Sequence, residues 1–265
     1  MPSIRLLTLG LALGLVLGGG GCRNDQPATP PEEQAEVARD KQEIAAEKPE
    51  VAKEVTMGLT LKWLGHASFR ISSNGTVIYI DPWKLSDAPH DATLVLVSHS
   101  HYDHYSAVDI EKVSGPGTKL VASSDVVAKE KAGQAIAPGM TLQVEGVSVI
   151  AVPAYNVGKQ FHPKANKWVG FVIEVGSKRI YYAGDTDLTD EMKGLENIDV
   201  ALLPVGGTYT MNAAEAAEAV GYFKPKMAIP YHWGDIVGSA SDAESFARSA
   251  GCEVKVLQPG ESVGL

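Results

Sequence analysis

The chain has 265 residues, with 23 Lys and Arg against 32 Asp and Glu, giving a formal net charge of −9. That length is ample for a large buried core, and the acidic balance argues against a general nucleic-acid binder, which needs clustered basic residues to meet phosphates. Cys22 and Cys252 are the only cysteines, too few for a disulfide scaffold or a multi-cysteine zinc module.

Residues 1–21 read as an export signal: a short basic start at Arg5, an apolar run from Leu6 to Leu17, then Gly18 to Gly21. The run is shorter than the roughly 20 residues that cross a bilayer, so a permanent transmembrane helix is not expected. Cys22, directly after small residues, resembles the modified cysteine of a bacterial lipoprotein lipobox. An ordinary signal peptide with an incidental cysteine is the alternative. The lipoprotein reading implies a lipid anchor in the bacterial cell envelope, with the domain in the periplasm or outside the membrane. Residues 22–56 are rich in Pro, Ala, Glu and Lys and hold no aromatic residue. They bury too little apolar surface to offset ordering entropy, so a solvated acidic tether is expected.

The folded domain is expected over residues 57–265. Short apolar or alternating runs rich in β-branched residues predict strands at Leu59–Leu64, Ser68–Ile71, Val77–Ile80, Leu94–Val97, Lys119–Ala122, Thr141–Val144 and Val147–Val152. Further strands are expected at Val169–Val175, Arg179–Ala183, Val200–Val205, Met227–Pro230 and Val254–Leu257. Asn74-Gly75 between two such runs signals a hairpin. Helical periodicity appears at Ser124–Lys131, Ala213–Phe223 and Ala243–Ser249, with Asn212 and Asp242 as candidate N-caps. Two β-sheets packed face to face with helices on the outer faces, an α/β fold of αββα type, is the economical layer arrangement.

Three of the seven histidines fall within six residues, in Ser98-His99-Ser100-His101-Tyr102-Asp103-His104, directly after the apolar run Leu94–Val97. In an extended stretch, residues two apart point the same way, so His99 and His101 can face one metal. Asp103 and His104 diverge where the chain turns into a short helix, and can serve a neighbouring ion. Imidazole and carboxylate suit zinc, manganese or iron.

The pattern His99-x-His101-x-Asp103-His104 looks like the signature of the metallo-β-lactamase fold superfamily. Trp63-Leu64-Gly65-His66-Ala67-Ser68, Ala183-Gly184-Asp185-Thr186-Asp187 and Pro230-Tyr231-His232 resemble its L-ascorbate-6-phosphate lactonase-like hydrolases. The resemblance implies two divalent metal ions, with Zn2+ favoured and Mn2+ or Fe2+ as alternatives. His99 and His101 would hold the first, Asp103, His104 and His232 the second, and Asp185 would bridge both. The remaining ligand of the first ion is expected to be His162, reached by a long loop; Asn156 or water is the alternative. Asp103 is also expected to orient the attacking water. The match of Gly65-His66 implies a substrate-facing or metal-supporting histidine, with a structural role equally open.

His90 reads as a surface residue. Gly206 to Met211 reads as a connector, with Tyr209 a candidate pocket wall and the following helix N-terminus a candidate anion site. Trp83, Trp168 and Trp233 are candidates for the cleft or the core. The function implied is a metal-dependent hydrolase that uses a metal-bound hydroxide on an ester, lactone or phosphodiester. A phospholipase D-like phosphodiesterase acting on membrane lipids and a non-catalytic metal-binding envelope protein are the alternatives. Its partners would be a small-molecule or lipid substrate and the membrane, with no nucleic acid.

Overall fold

The structure is a computed structural model that describes residues 58–265. The export signal, Cys22, the tether and the first residue of the expected domain lie outside those residues. Among the described residues, no helix is long and apolar enough to cross a membrane.

Among the described residues, fourteen strands form two seven-stranded sheets. The first contains β1 (Thr60–Gly65), β2 (Ser68–Ser73), β3 (Thr76–Ile80), β4 (Ala92–Val97), β5 (Ser114–Ala122), β6 (Gln134–Ala135) and β14 (Ser262–Gly264). Its order is β14-β1-β2-β3-β4-β5-β6. The second contains β7 (Thr141–Val144), β8 (Val147–Pro153), β9 (Val169–Val175), β10 (Lys178–Tyr182), β11 (Val200–Pro204), β12 (Met227–Tyr231) and β13 (Glu253–Val254). Its order is β13-β12-β11-β10-β9-β8-β7. Each sheet is antiparallel at one side and parallel at the other, with β3, β4 and β5 parallel in the first and β10, β11 and β12 parallel in the second.

The turn at Asn74-Gly75 joins β2 to β3, and both residues have positive φ, 48° and 86°. That is the backbone a two-residue hairpin turn requires. The main core lies between the sheets, where Phe69 of β2 meets Tyr182 of β10 at a centroid distance of 6.1 Å. Strand alternation sends Tyr181 the other way, onto Phe223 of a covering helix.

The α-helices of the described residues are α1 (Ala107–Val113), α2 (Ser124–Glu130), α3 (Asp190–Lys193), α4 (Ala213–Phe223) and α5 (Ala240–Ser249). Residues Ile110, Val113 and Val126 of α1 and α2 join Tyr79, Val95 and Val97 in a second apolar cluster. The two faces of the first sheet thus pack separately, which gives the expected αββα layering.

Some expectations shift. Asp242 is not the N-cap of α5: the helix starts three residues earlier than expected, at Ala240 behind Ser239, and the Asp242 carboxylate accepts the Ser239 backbone N–H at 2.8 Å. The strand expected over Val254–Leu257 is only the short β13, because beyond Val254 the chain leaves the sheet edge. The short helix expected to follow Asp103 and His104 is α1, which begins only at Ala107, after a turn at His101–His104. It is held by its Ser106 cap, whose hydroxyl accepts the Asp109 N–H at 3.2 Å, rather than by a long apolar stripe.

Asp109 also fixes the loop before β4. Its buried carboxylate accepts the N–H groups of Lys84 at 2.9 Å and Leu85 at 3.2 Å and meets the Lys112 ammonium at 2.8 Å. Burial pushes its pKa up, but the Lys112 and Ser106 contacts outweigh that and hold it below 3.8. A depressed folded-state pKa contributes stability above the unfolded value that is lost as pH falls through the folded value. Asp109→Ala is therefore expected to lower stability at pH 7 by about 1–3 kcal/mol, measured by urea denaturation. The gap to the unsubstituted protein should narrow as pH falls below 3.8.

Candidate metal centre

The chemistry-bearing side chains leave the sheets at one end. His66 follows β1, Asp81 follows β3, His99 to His104 follow β4, Asn156 and His162 follow β8, Asp185 follows β10 and His232 follows β12. Parallel strands deliver their carboxyl ends to the same edge, where open α/β sheets form ligand sites.

Donor atoms of His99, His101 and His162 lie within 4.8 Å of one another. His99 Nε2 and His101 Nδ1 are 3.0 Å apart. On its other side, the His99 ring meets Ser98 Oγ through Nδ1 at 2.9 Å. Asn156 orients His162: its Oδ1 accepts from the His162 backbone N–H at 2.9 Å and from Nδ1 at 3.1 Å. Asn156 is in turn anchored by its amide group to Asp187 Oδ1 at 3.1 Å and the Tyr209 carbonyl at 2.8 Å. His162 Nε2 is left facing inward. Trp168 closes this side, with its ring 4.8 Å from His99 and 4.7 Å from His101.

A second set of donor atoms, from His66, Asp103, His104 and His232, also falls within 4.8 Å. Asp185 stands between the two sets. Its Oδ1 is 3.1 Å from His104 Nε2, while its Oδ2 is 3.2 Å from His162 Nε2 and 3.3 Å from His232 Nε2.

Asp81 has a different task. Its carboxylate accepts the Ser98 backbone N–H at 2.7 Å, the Ser98 hydroxyl at 2.5 Å, the Tyr182 hydroxyl at 2.6 Å and His104 Nδ1–H at 2.7 Å. With its lone pairs engaged, it orients His104 and turns Nε2 toward Asp185.

The centre has a test of fit built into it. The buried atoms His104 Nε2, His162 Nε2, His232 Nε2 and Asp185 Oδ1 have no hydrogen-bond partner. Buried polar atoms are nearly always paired, and four converging exceptions with nitrogen and oxygen lone pairs match the needs of divalent cations.

Electrostatics distinguish neighbouring rings. Burial, with help from the adjacent His104, pushes the His99 pKa well below 6.5. Burial also opposes charge on His104, but Asp185 and Asp81 outweigh it and hold that pKa well above 6.5. Burial would raise the Asp103 pKa, yet the His66 contact at 3.0 Å and nearby imidazoles bring it down to about 2. Asp185 lies well below 3.8 because His104 and His232 overcome its burial.

The backbone is also specialised here. His66, Asp81 and His232 adopt left-handed φ of 46°, 44° and 62°, a conformation that clusters at functional sites when the surroundings hold it. His66 is fixed through its carbonyl, which accepts the Trp63 indole N–H at 3.0 Å and the His232 N–H at 3.1 Å. Gly206 passes so close to the His232 carbonyl that a Cβ would clash.

A family model described as the beta-lactamase superfamily domain matches residues 60–232. The chain belongs to the metallo-β-lactamase superfamily. It is 36% identical over 225 residues to a metal-dependent hydrolase of Thermococcus kodakarensis, covering 77% of this chain and 99% of that one. A metal-dependent hydrolase of Methanopyrus kandleri is 34% identical over 227 residues, covering 77% and 99%. Among solved structures, a metallo hydrolase from Ignicoccus hospitalis is 26% identical with a TM-score of 0.65, covering 78% and 98%. A metallo-β-lactamase fold protein from Bacillus subtilis shares the fold at TM-score 0.65 and 14% identity, covering 78% and 99%.

Within this superfamily fold, all seven residues expected to serve as ligands converge: His99, His101, Asp103, His104, His162, Asp185 and His232. Asn156, the alternative to His162, lies behind it as its hydrogen-bond acceptor. Tyr209 lines a cleft of 240 Å³ over the centre, together with Tyr102, Phe161 and Ile236. His66 does not line that cleft. It is buried with Nε2 against Asp103 and its ring 4.2 Å from His232, a supporting position within donor range.

The helix N-terminus after Met211 is not free for an anion, because Asn212 and Glu215 cap it reciprocally. Trp233 packs on Trp63 at 5.0 Å, and Trp83 on His66 at 5.2 Å. His90 is exposed, as expected.

The sequence carries one signal for Asp81: Ile80-Asp81, like Ala183-Gly184-Asp185, sets a carboxylate at the end of an apolar strand. Asp81→Asn is expected to weaken cation binding about 10–100-fold, measured by competition with a chromophoric chelator. Unchanged affinity would show that Asp81 does not position the His104 ligand.

Proposed function

We propose that this metal-dependent hydrolase of the superfamily cleaves an ester, lactone or phosphodiester with two divalent cations, zinc first among the candidates. The observation that carries the reading is the convergence of buried, unpaired ring nitrogens and a carboxylate oxygen from both sheets. His99, His101 and His162 would hold one cation and Asp103, His104 and His232 the other, with Asp185 shared. Cations held by these residues would supply Lewis-acid polarisation of a substrate oxygen and a lowered water pKa, from about 16 toward 7.

The chain's own groups divide the remaining work. Asp103 lines the cleft, and its pKa of about 2 keeps it ionised at neutral pH. Its carboxylate would orient water by accepting a hydrogen bond. His66 holds that carboxylate in place from behind. Trp168 and Trp83 shield the imidazoles from solvent on two sides, which strengthens electrostatic interactions within the centre.

Elemental analysis of the purified protein is expected to find two cations per chain, and a panel of esters, lactones and phosphodiesters should reveal turnover. His162→Ala should reduce cation content toward one and lower kcat/KM by more than about 100-fold. Full cation retention would assign the first site to other groups. A metal-loaded protein inert across the panel would favour a binding role instead.

We also propose, from the sequence of residues 1–22, that the protein is exported and anchored in the cell envelope through lipid on Cys22. Mass spectrometry of the native N-terminus is expected to show a diacylated Cys22; an unmodified terminus elsewhere would refute the anchor.

A further inference from the structure

The cleft above the metal centre has a floor made by His101, Asp103, His162 and Asp185. Its walls are aromatic and aliphatic. Phe161 meets Tyr209 edge-to-face at 4.8 Å, and Tyr102 and Ile236 complete the lining. Phe161 and Tyr102 stay exposed at 40% and 68%, so apolar surface is held open to solvent directly beside the ligands. Large apolar groups kept exposed in a concave site signal a binding surface.

The lining contains no Lys or Arg. Among the described residues, the lysines that neighbour cleft residues along the chain are engaged elsewhere. Lys159 is bound to Asp187 Oδ1 at 2.6 Å and the Thr210 carbonyl at 3.0 Å. Lys164 is bound to Glu191 at 2.8 Å; Lys84, distant from the cleft along the chain, is bound to Asp235, the residue before Ile236, at 2.9 Å. The helix N-terminus beyond Tyr209 is closed by its own capping box. Recognition of a phosphate or carboxylate remote from the scissile bond would call for such groups to be free.

Resting on the hydrolase reading above, we infer that the cleft receives a neutral, apolar acyl group, and that the substrate is an uncharged carboxylic ester or lactone rather than a phosphorylated one. Hydrolysis then forms a bond from the water oxygen to the acyl carbon and breaks the acyl C–O bond. One water proton passes to the leaving oxygen, and the other is released as the acid ionises. At 240 Å³ the cleft is smaller than the roughly 300–1,000 Å³ of sites for drug-sized ligands. It suits a short acyl chain, with the alcohol portion lying outside.

The test is a series of acetate, butyrate and hexanoate esters of one alcohol, with an equal-length ester carrying a terminal carboxylate and a phosphorylated lactone. For the metal-loaded protein, kcat/KM is expected to rise about fourfold per added methylene until the cleft is full. The charged analogues should fall at least tenfold below their neutral counterparts. Phe161→Ala should flatten the chain-length slope while cation content stays at two, and Phe161→Leu should restore most of it. Charged analogues turned over as well as neutral ones, or no chain-length slope, would overturn the inference.

A protein inert on every substrate would sink the hydrolase reading itself. The cleft would still be decided by calorimetric binding of acetate, butyrate and hexanoate to the metal-loaded protein. Affinity that rises with chain length supports an acyl site, and equal affinities refute it.

Discussion

His104 is gripped from both sheets. Its Nδ1 donates to Asp81 at the end of β3, and its Nε2 faces Asp185 at the end of β10. A carboxylate taken from water loses several kcal/mol of hydration, so each must be surrounded by donors or cations. Asp81 is satisfied by Ser98, Tyr182 and His104, with Tyr182 reaching across from the opposite sheet. The two halves of the sandwich are thus pinned together at the end where the chemistry lies, and the position of one imidazole depends on both.

The remaining ligands follow from that pin and from strand direction. Parallel β3 and β4 in one sheet, and parallel β10, β11 and β12 in the other, bring their carboxyl ends to one edge. Tight left-handed turns at His66, Asp81 and His232 then redirect the side chains inward rather than along the strands. Such backbone strain persists only where tertiary contacts over-determine it. Here the Trp63 indole and the His232 N–H both hold the carbonyl of His66.

Neighbouring imidazoles play opposite electrostatic parts. His99 is driven toward its neutral form by burial and by the neighbouring imidazoles, whereas His104, 4.1 Å away between centroids, is drawn toward its charged form by two carboxylates. Environment rather than residue type sets each state. Apolar walls stand beside this charged floor, with Phe161 and Tyr209 lining the same cleft as Asp103 and Asp185.

Local spacing made much of the centre legible. The strand period aims His99 and His101 together, and apolar runs ending in Asp185 and His232 mark carboxylate and imidazole at strand tips. Alternation and turn chemistry likewise disclosed the strands, the hairpin at Asn74-Gly75 and the α4 cap at Asn212. Asp81 was hidden because a lone aspartate after a strand acquires meaning only when Ser98, His104 and Tyr182 come to it from residues 17, 23 and 101 positions away. The orientation of His162 by Asn156, the buried place of His66 and the apolar cleft were hidden for the same reason. The sequence by itself determined which groups could bind a cation, since donor chemistry and short-range direction are local properties. Only the tertiary structure decided which of them share a focus and what faces the substrate, because contact between distant strand ends depends on how the two sheets pack.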